Sequence, residues 1–113
     1  MCFYICRLKN LNHNMGKIIF EINYNIHPEK RDEYLQTIQA LKKNILENSN
    51  INYSVFENKK NKNNFSEIYV CENEEEFDSI EDNQSDDSIK LTQKLFDDFI
   101  KDKKVIYSTK YEI

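Results

Sequence analysis

A chain of 113 residues is long enough for one domain and too short for a second hydrophobic core. Hydrophobic residues make up 39% of it and charged residues 32%, which predicts a soluble globular protein. The formal net charge of -4 argues against binding along a nucleic-acid backbone, which calls for a clustered excess of Lys and Arg.

The sequence also indicates where the protein works. Its apolar runs are only a few residues long, whereas a bilayer span needs about 20, so no membrane-spanning segment is predicted. The first seven residues lack the small-residue cleavage site of a secretory signal. The three cysteines cannot all pair within one chain, and so low a count suits a reducing compartment. We therefore expect a cytoplasmic protein with free thiols.

The first 14 residues contain no acidic residue and no periodicity, and they precede a second methionine, Met15. This is typical of a disordered tail, of a strand added to a sheet edge, or of upstream sequence before a start at Met15. Cys2, Cys6 and His13 do not provide the four ligands and close cysteine pairs of structural zinc, so no metal site is predicted.

The sequence predicts a tail or a misassigned start over residues 1–16 and a folded domain over 17–113. The domain opens with a strand whose alternate residues are apolar, namely Ile18, Phe20, Ile22, Tyr24 and Ile26. Pro28 then predicts a helix that runs to about Asn48, because proline at the first helical position loses no needed donor. His27 is interpreted as a cap of this helix rather than as a catalytic base.

Two strand-like runs, 51–56 and 65–72, flank a polar loop over residues 58–64, a pattern that predicts a hairpin. Asn accepts left-handed turn conformations more readily than most residues, so the loop can turn without glycine. Its lysines, Lys59, Lys60 and Lys62, could hold an anion, but a solvated loop tip is the favoured interpretation.

Residues 72–87 are strongly acidic and contain no Lys or Arg. A calcium loop of the EF-hand kind would need a central glycine that this segment lacks. The favoured interpretation is a short helix capped by Asn73, with Phe77 and Ile80 facing inward, followed by a second segment capped by Ser85 or Asp86. The second helical region is therefore predicted to be broken in two.

A final strand is predicted from the alternation of Val105, Tyr107, Thr109 and Tyr111. The order βαββαβ predicts an α+β, ferredoxin-like fold, with a four-stranded antiparallel sheet that carries two helices on one face. Several strands are apolar on both sides, for example at Ile18 and Ile19, and exposed apolar surface costs about 25 cal/mol per Å². We therefore expect a homodimer that closes two sheets into one α/β barrel.

The strand-to-helix passage from Phe20 to Pro28, the strands at 52–56 and 65–70, and Glu75-Glu76-Phe77 together resemble the antibiotic biosynthesis monooxygenase-like (ABM) family of dimeric α/β barrels. The resemblance covers about Lys17 to Ile113. It implies a small-molecule-binding domain, and one activity of the family is cofactor-independent oxidation of a small aromatic compound.

Two departures from the family leave open whether the chain is an enzyme. Members often end the third strand with a tryptophan, where Cys71 stands here, and the chain has no Trp. The haem-degrading branch carries a histidine on the second long helix, which has none here. No cofactor is expected.

The candidate catalytic residue is Glu67, whose alternation places it beside aromatic residues, where burial would raise its pKa. A cross-strand lysine partner is the favoured alternative for it.

A ligand is expected between the sheet and the second helical region, with the helix break as the mouth. The candidate ligand-binding residues are Tyr24, Tyr53, Tyr69, Cys71, Phe96 and Tyr107. Core packing explains the same aromatic residues equally well, and Cys71 is interpreted as a small buried hydrophobe rather than a reactive thiol. The alternative function is a non-catalytic dimeric binding or interaction module with an acidic surface.

Overall fold

The structure is a computed structural model that describes residues 16–113. Its strands are β1 (Ile18–Ile26), β2 (Asn52–Glu57), β3 (Asn64–Cys71) and β4 (Ile100–Tyr111), and its α-helices are α1 (Arg31–Asn48), α2 (Glu74–Asp82) and α3 (Asp86–Lys94). A 3-10 turn over Pro28–Lys30 precedes α1, and a π-helical turn over Leu95–Phe99 extends α3. The predictions for Cys2, Cys6, His13 and the N-terminal tail lie outside the described residues.

The four strands form one antiparallel sheet in the order β2-β3-β1-β4. The two middle strands, β3 and β1, pair so that Ile22 lies opposite Glu67, and Val55 of β2 lies opposite Glu67 on the other side. This is the sheet of the ferredoxin-like α+β fold, which confirms the predicted fold class.

The helix boundaries follow local capping chemistry. The Asn73 side chain accepts a hydrogen bond from the Glu76 amide at 2.8 Å, and the Ser85 hydroxyl accepts one from the Ser88 amide at 3.0 Å. The predicted break between α2 and α3 is therefore confirmed. His27 occupies the predicted N-cap position before Pro28, although its side chain makes no capping hydrogen bond.

The core between sheet and helices consists of two apolar clusters. The larger contains Tyr24, Ile26, Tyr34, Ile38, Leu41, Phe65, Leu95, Phe99 and Ile100. The smaller contains Ile18, Ile51, Tyr53, Tyr69 and Cys71. Partly buried Ile22, Ile45 and Val55 pack against both clusters, so the two meet near the middle of the sheet.

The sheet face away from the helices is mixed in character. Phe56 and Ile106 are 56% and 54% exposed there, in keeping with the predicted two-sided strands. At the centre of this face, the side-chain amide of Asn23 donates hydrogen bonds to Asn64 Oδ1 and to Ser66 Oγ, both at 2.9 Å. The apolar residues of this face therefore surround a polar centre.

Strand β4 contains an excursion that the sequence did not predict. Tyr24 pairs with Val105 and Ile26 with Ile100, so residues 101–104 bulge out of the ladder. Within the bulge, Asp102 and Lys103 have φ angles of 59° and 54°, in the left-handed region. The bulge projects four exposed polar residues from one end of the sheet.

Candidate functional site

Glu67 lies in the middle of β3, on the face that the helices cover. The strand alternates strictly there, so Phe65, Tyr69 and Cys71 share its buried side. The Glu67 side chain is buried where the two apolar clusters meet, and only 6% of the residue is exposed. A carboxyl group in such a place must find hydrogen-bond donors or bear a large desolvation cost.

The donors are tyrosines from the two strands that flank β3. Tyr24 of β1 donates to Glu67 Oε2 and Tyr53 of β2 donates to Oε1, each at 2.7 Å. The Tyr24 hydroxyl also lies 2.8 Å from the hydroxyl of Tyr34 in α1. Each carboxyl oxygen therefore has a phenol partner. We call Tyr24, Tyr34, Tyr53 and Glu67 the tyrosine–carboxyl cluster.

Burial dominates the electrostatics of this cluster. Desolvation raises the pKa of Glu67, and the hydrogen bonds from Tyr53 and Tyr24 oppose that rise by stabilising the carboxylate. Burial, followed by repulsion from Glu67, raises the pKa values of Tyr24 and Tyr53 far above the usual range. The phenols therefore stay neutral, and the proton affinity of the cluster resides in the Glu67 carboxyl group.

Cation pairing does not explain Glu67. Within residues 16–113 the ion pairs are Lys17–Glu72, Arg31–Glu57 and Lys103–Asp97. The prediction of a cross-strand lysine partner is therefore wrong, because the facing strand positions hold Ile22 and Val55 and the diagonal donors are tyrosines.

A small cavity lies at the break between α2 and α3, where the sequence places the mouth of a pocket. Its volume is about 30 Å³, enough for roughly one water molecule. It is lined by residues of α1, the α1–β2 connection, β3, α2, the helix break and α3, including Ile45, Ile51, Tyr69, Ile80, Gln84 and Ser88. The centroids of the Tyr69 and Tyr53 rings are 4.8 Å apart. Tyr69 therefore contacts both the cavity and a member of the tyrosine–carboxyl cluster.

The remaining predicted ligand-binding residues lie in different places. Cys71 is fully buried at the end of β3, and desolvation, aided by Glu76 and Glu72, raises the pKa of its thiol to about 11. That pKa leaves the thiol protonated and unreactive near neutral pH. Tyr107 is 66% exposed on the edge strand and stacks on Phe20 with 6.1 Å between ring centroids.

The sequence predicts Phe96 as a ligand-binding residue between the sheet and the second helical region, but its side chain does not face the strands. It is 37% exposed, and the Lys103 ammonium group lies 5.3 Å from its ring centroid. The π-helical turn changes the helical period at Leu95–Phe99, which turns Leu95 and Phe99 into the core and Phe96 away from it. The structure therefore joins Glu67 to Tyr24, Tyr53 and Tyr69, but not to Phe96 or Tyr107.

Tyr34 is the cluster member that sequence reasoning missed as a site residue. It belongs to the apolar stripe of α1 and is fully buried against Phe65, with ring centroids 4.5 Å apart. A tyrosine in an otherwise aliphatic stripe is the signal that could have identified it, because a buried phenol requires a polar partner.

The acidic segment invites comparison with a metal site, and its surroundings are known for residues 16–113. Within residues 16–113, no group of three or more His, Cys, Asp or Glu side chains is arranged to hold an ion. Most carboxylates of α2 point into solvent, and the first turn of the helix carries Glu74, Glu75 and Glu76, where the helix dipole favours negative charge.

Three solved structures show the same fold at low sequence identity. A conserved protein from Methanosarcina mazei Go1 superposes with a TM-score of 0.73 at 18% identity, over 89% of this chain and 97% of that protein. Candidate antibiotic biosynthesis monooxygenases from Nitrosomonas europaea and Caulobacter crescentus CB15 each superpose with a TM-score of 0.72, at 4% and 10% identity. They match 91% and 88% of this chain and 96% and 92% of their own chains. The fold is therefore ABM-like, as the sequence predicts.

A family model described as a transmembrane secretion effector matches residues 7–104. This match spans most of the sequence, so the chain belongs to that family. In the part of the chain that the structure describes, no helix combines the length and apolar character needed to cross a bilayer. No curated protein matches the chain significantly.

Proposed function

We propose that this ABM-like domain binds a small aromatic compound beside Tyr69 and that the Glu67 carboxylate accepts a proton from it. The observation that carries the proposal is the burial of Glu67 among tyrosines without a cationic partner among residues 16–113. A carboxylate with a raised pKa is a stronger base than an exposed one, and its proton affinity is closer to that of a weakly acidic substrate.

The ligand enters at the helix break. The present cavity of about 30 Å³ holds roughly one water, so an aromatic ring requires α2 to move outward. This helix has no buried residue, and the partly buried Phe77 and Ile80 are its apolar contacts with the core. An element with so few buried contacts opens at a low free-energy cost.

The tyrosines then have distinct tasks. Tyr69 provides an aromatic wall for the ligand, and Tyr53 lies between that wall and Glu67. Because the Tyr53 hydroxyl donates to Glu67, it can pass a proton to the carboxylate while it takes one from a substrate on its other side. Tyr24 and Tyr34 hold the second carboxyl oxygen in place.

The resemblance to the ABM family suggests the chemistry that follows. Loss of a proton from an activated ring carbon gives an electron-rich anion that dioxygen can oxidise without a cofactor. A ring CH₂ then becomes C=O, one oxygen atom enters the product and the other leaves as water. The oxidation is a further step of the same proposal. Binding of the aromatic compound does not depend on it, so the two steps can be tested separately.

Dimerisation through the outer sheet face belongs to the same proposal. Ile19, Phe56 and Ile106 expose apolar area there, and a second copy would cover it with a self-complementary interface. The central Asn23, Asn64 and Ser66 network would lie within the interface and already satisfies its own hydrogen bonds.

Fluorescence of 2-naphthol tests the binding and proton-transfer steps, because the naphthol and its anion emit at different wavelengths. The parent protein is expected to bind the probe and increase the anion emission. Glu67→Gln keeps the shape of the side chain and is expected to bind the probe without that increase. Tyr107→Phe, a change at an exposed phenol, is the matched control and is expected to behave like the parent.

Two outcomes would contradict the proposal. If Glu67→Gln gave the same anion emission as the parent, Glu67 would not be the base. If the probe did not bind and caused no oxygen uptake, the satisfied hydrogen bonds of Glu67 and the water-sized cavity would favour the non-catalytic binding or interaction module with its acidic surface.

A further inference from the structure

A second cleft lies at the other end of β1 from the cavity beside Tyr69. It is open to solvent, and its volume is about 340 Å³. Its walls come from the end of β1, the β2–β3 loop and the β4 bulge, and the residues that line it are Asn25, Ile26, Pro28, Asn61, Lys62, Asn63, Lys101, Asp102 and Lys104. The tyrosine–carboxyl cluster contributes none of these residues.

Positive charge is concentrated in this cleft. Lys62, Lys101 and Lys104 line it together with a single carboxylate, that of Asp102. No described carboxylate lies within 4.0 Å of any of these three ammonium groups. A local excess of two positive charges is notable on a chain whose formal net charge is -4. The side-chain amides of Asn25, Asn61 and Asn63 add hydrogen-bond donors.

The loop that carries Lys62 is held at its base by hydrogen bonds. Glu57 at the base of the loop accepts hydrogen bonds from both terminal nitrogens of Arg31, at 2.6 and 2.8 Å, and from the Asn63 amide at 2.9 Å. Asn63 has a φ of 67°, and its carbonyl oxygen accepts a hydrogen bond from the Ile26 backbone amide at 3.0 Å. The loop is thus tied to both β1 and α1.

The opposite wall is also held in place. The Lys103 ammonium group donates to the carbonyl oxygens of Asp97 and Phe96, at 2.8 and 3.3 Å, at the end of the π-helical turn. This contact directs Lys103 away from the cleft and fixes the turn that presents Lys101 and Lys104. Asp102 and Lys103 are consecutive residues in the left-handed region, a backbone conformation that costs free energy for residues other than glycine.

We propose that this cleft binds a small phosphate-bearing molecule. Lysine ammonium groups bind phosphate oxygens as point charges, and three of them from two hydrogen-bonded walls match a dianion better than a singly charged ligand. A volume of about 340 Å³ accommodates a phosphate monoester but not a folded macromolecule. The preorganised backbone reduces the entropy that such a ligand must lose on binding.

Isothermal titration calorimetry with inorganic pyrophosphate tests the site. The buffer contains about 50 mM chloride salt, at which screening of charges is moderate. The parent is expected to bind the probe, and Lys62→Gln and Lys104→Gln are each expected to weaken binding about tenfold, because each removes a charged donor. Lys59→Gln removes the same charge from the same loop outside the cleft and is expected to change the affinity less than about twofold.

Two further measurements make the test specific. Succinate carries two negative charges without phosphate geometry and is expected to bind about tenfold more weakly than pyrophosphate. Circular dichroism should show that all three variants remain folded, since the substituted side chains are exposed. The proposal is overturned if pyrophosphate does not bind the parent, if succinate binds as tightly, or if Lys59→Gln weakens binding as much as Lys62→Gln.

Discussion

Removal of the Tyr24 hydroxyl should destabilise the protein more than removal of the Tyr53 hydroxyl, although both are buried phenols bound to Glu67. The Tyr24 hydroxyl joins Glu67 Oε2, at 2.7 Å, to the hydroxyl of Tyr34, at 2.8 Å. Tyr24→Phe therefore leaves two buried polar groups without this partner. Tyr53→Phe leaves only Glu67 Oε1 without its donor.

The magnitude follows from the cost of an unsatisfied buried group, about 1–3 kcal/mol each. Tyr53→Phe should then cost about 1–3 kcal/mol and Tyr24→Phe about 2–6 kcal/mol. Phe fills the same volume apart from the hydroxyl, so no cavity cost is added. For a domain of this size, each kcal/mol corresponds to about 3–6 °C in Tm.

Urea unfolding at neutral pH, followed by circular dichroism, measures the differences. Tyr107→Phe removes a hydroxyl from an exposed side chain and should change the unfolding free energy by less than about 0.5 kcal/mol. Equal losses for Tyr24→Phe and Tyr53→Phe would show that the Tyr34 contact contributes nothing. Losses as small as the Tyr107→Phe control would refute the whole account of the tyrosine–carboxyl cluster.

Three further predictions concern pH, assembly and the N-terminus. Because burial raises the folded-state pKa of Glu67 above its unfolded value, the parent loses stability as pH rises from about 4.5 through the folded pKa, whereas Glu67→Gln does not. Urea midpoints across this pH range should show that Glu67→Gln becomes more stable relative to the parent as pH rises. A difference in stability that stays constant with pH would contradict the raised pKa. Sedimentation at micromolar concentration should give twice the chain mass of 13.6 kDa, and a soluble monomer would contradict the barrel proposal. A chain that begins at Met15 loses Arg7 and Lys9 and changes from -4 to -6 in formal charge, yet it should unfold as cooperatively as the full chain. Loss of cooperativity would assign a structural role to the first 14 residues.

Alternation and capping explain why so much of the fold is readable from the sequence. A strand turns successive side chains to opposite faces, so the positions of Phe65 and Tyr69 were enough to predict that Glu67 shares their side. Asn73 predicted the start of α2, and the pair Ser85 and Asp86 predicted that of α3, because capping depends on residues within one turn; in the structure Ser85 is the cap. These are local rules, and they hold before any tertiary contact forms.

The surroundings of the candidate residues depended on elements that are distant in sequence. Tyr24, Tyr34 and Tyr53 reach Glu67 from β1, α1 and β2, and the sequence alone could not show that they, rather than a lysine, would meet the carboxyl group. Tyr107 lies on an edge strand, where the helices leave it exposed, although its alternation matches that of a core residue.

The sequence by itself determined the element order, the Asn73 cap of α2 and the side of β3 that carries Glu67, since periodicity and capping act over a few residues. Only the tertiary structure decided which side chains satisfy Glu67 and that Lys62 shares a cleft with Lys101 and Lys104. Burial and charge proximity are properties of the packed sheet and helices, and they arise between segments that the chain separates by tens of residues.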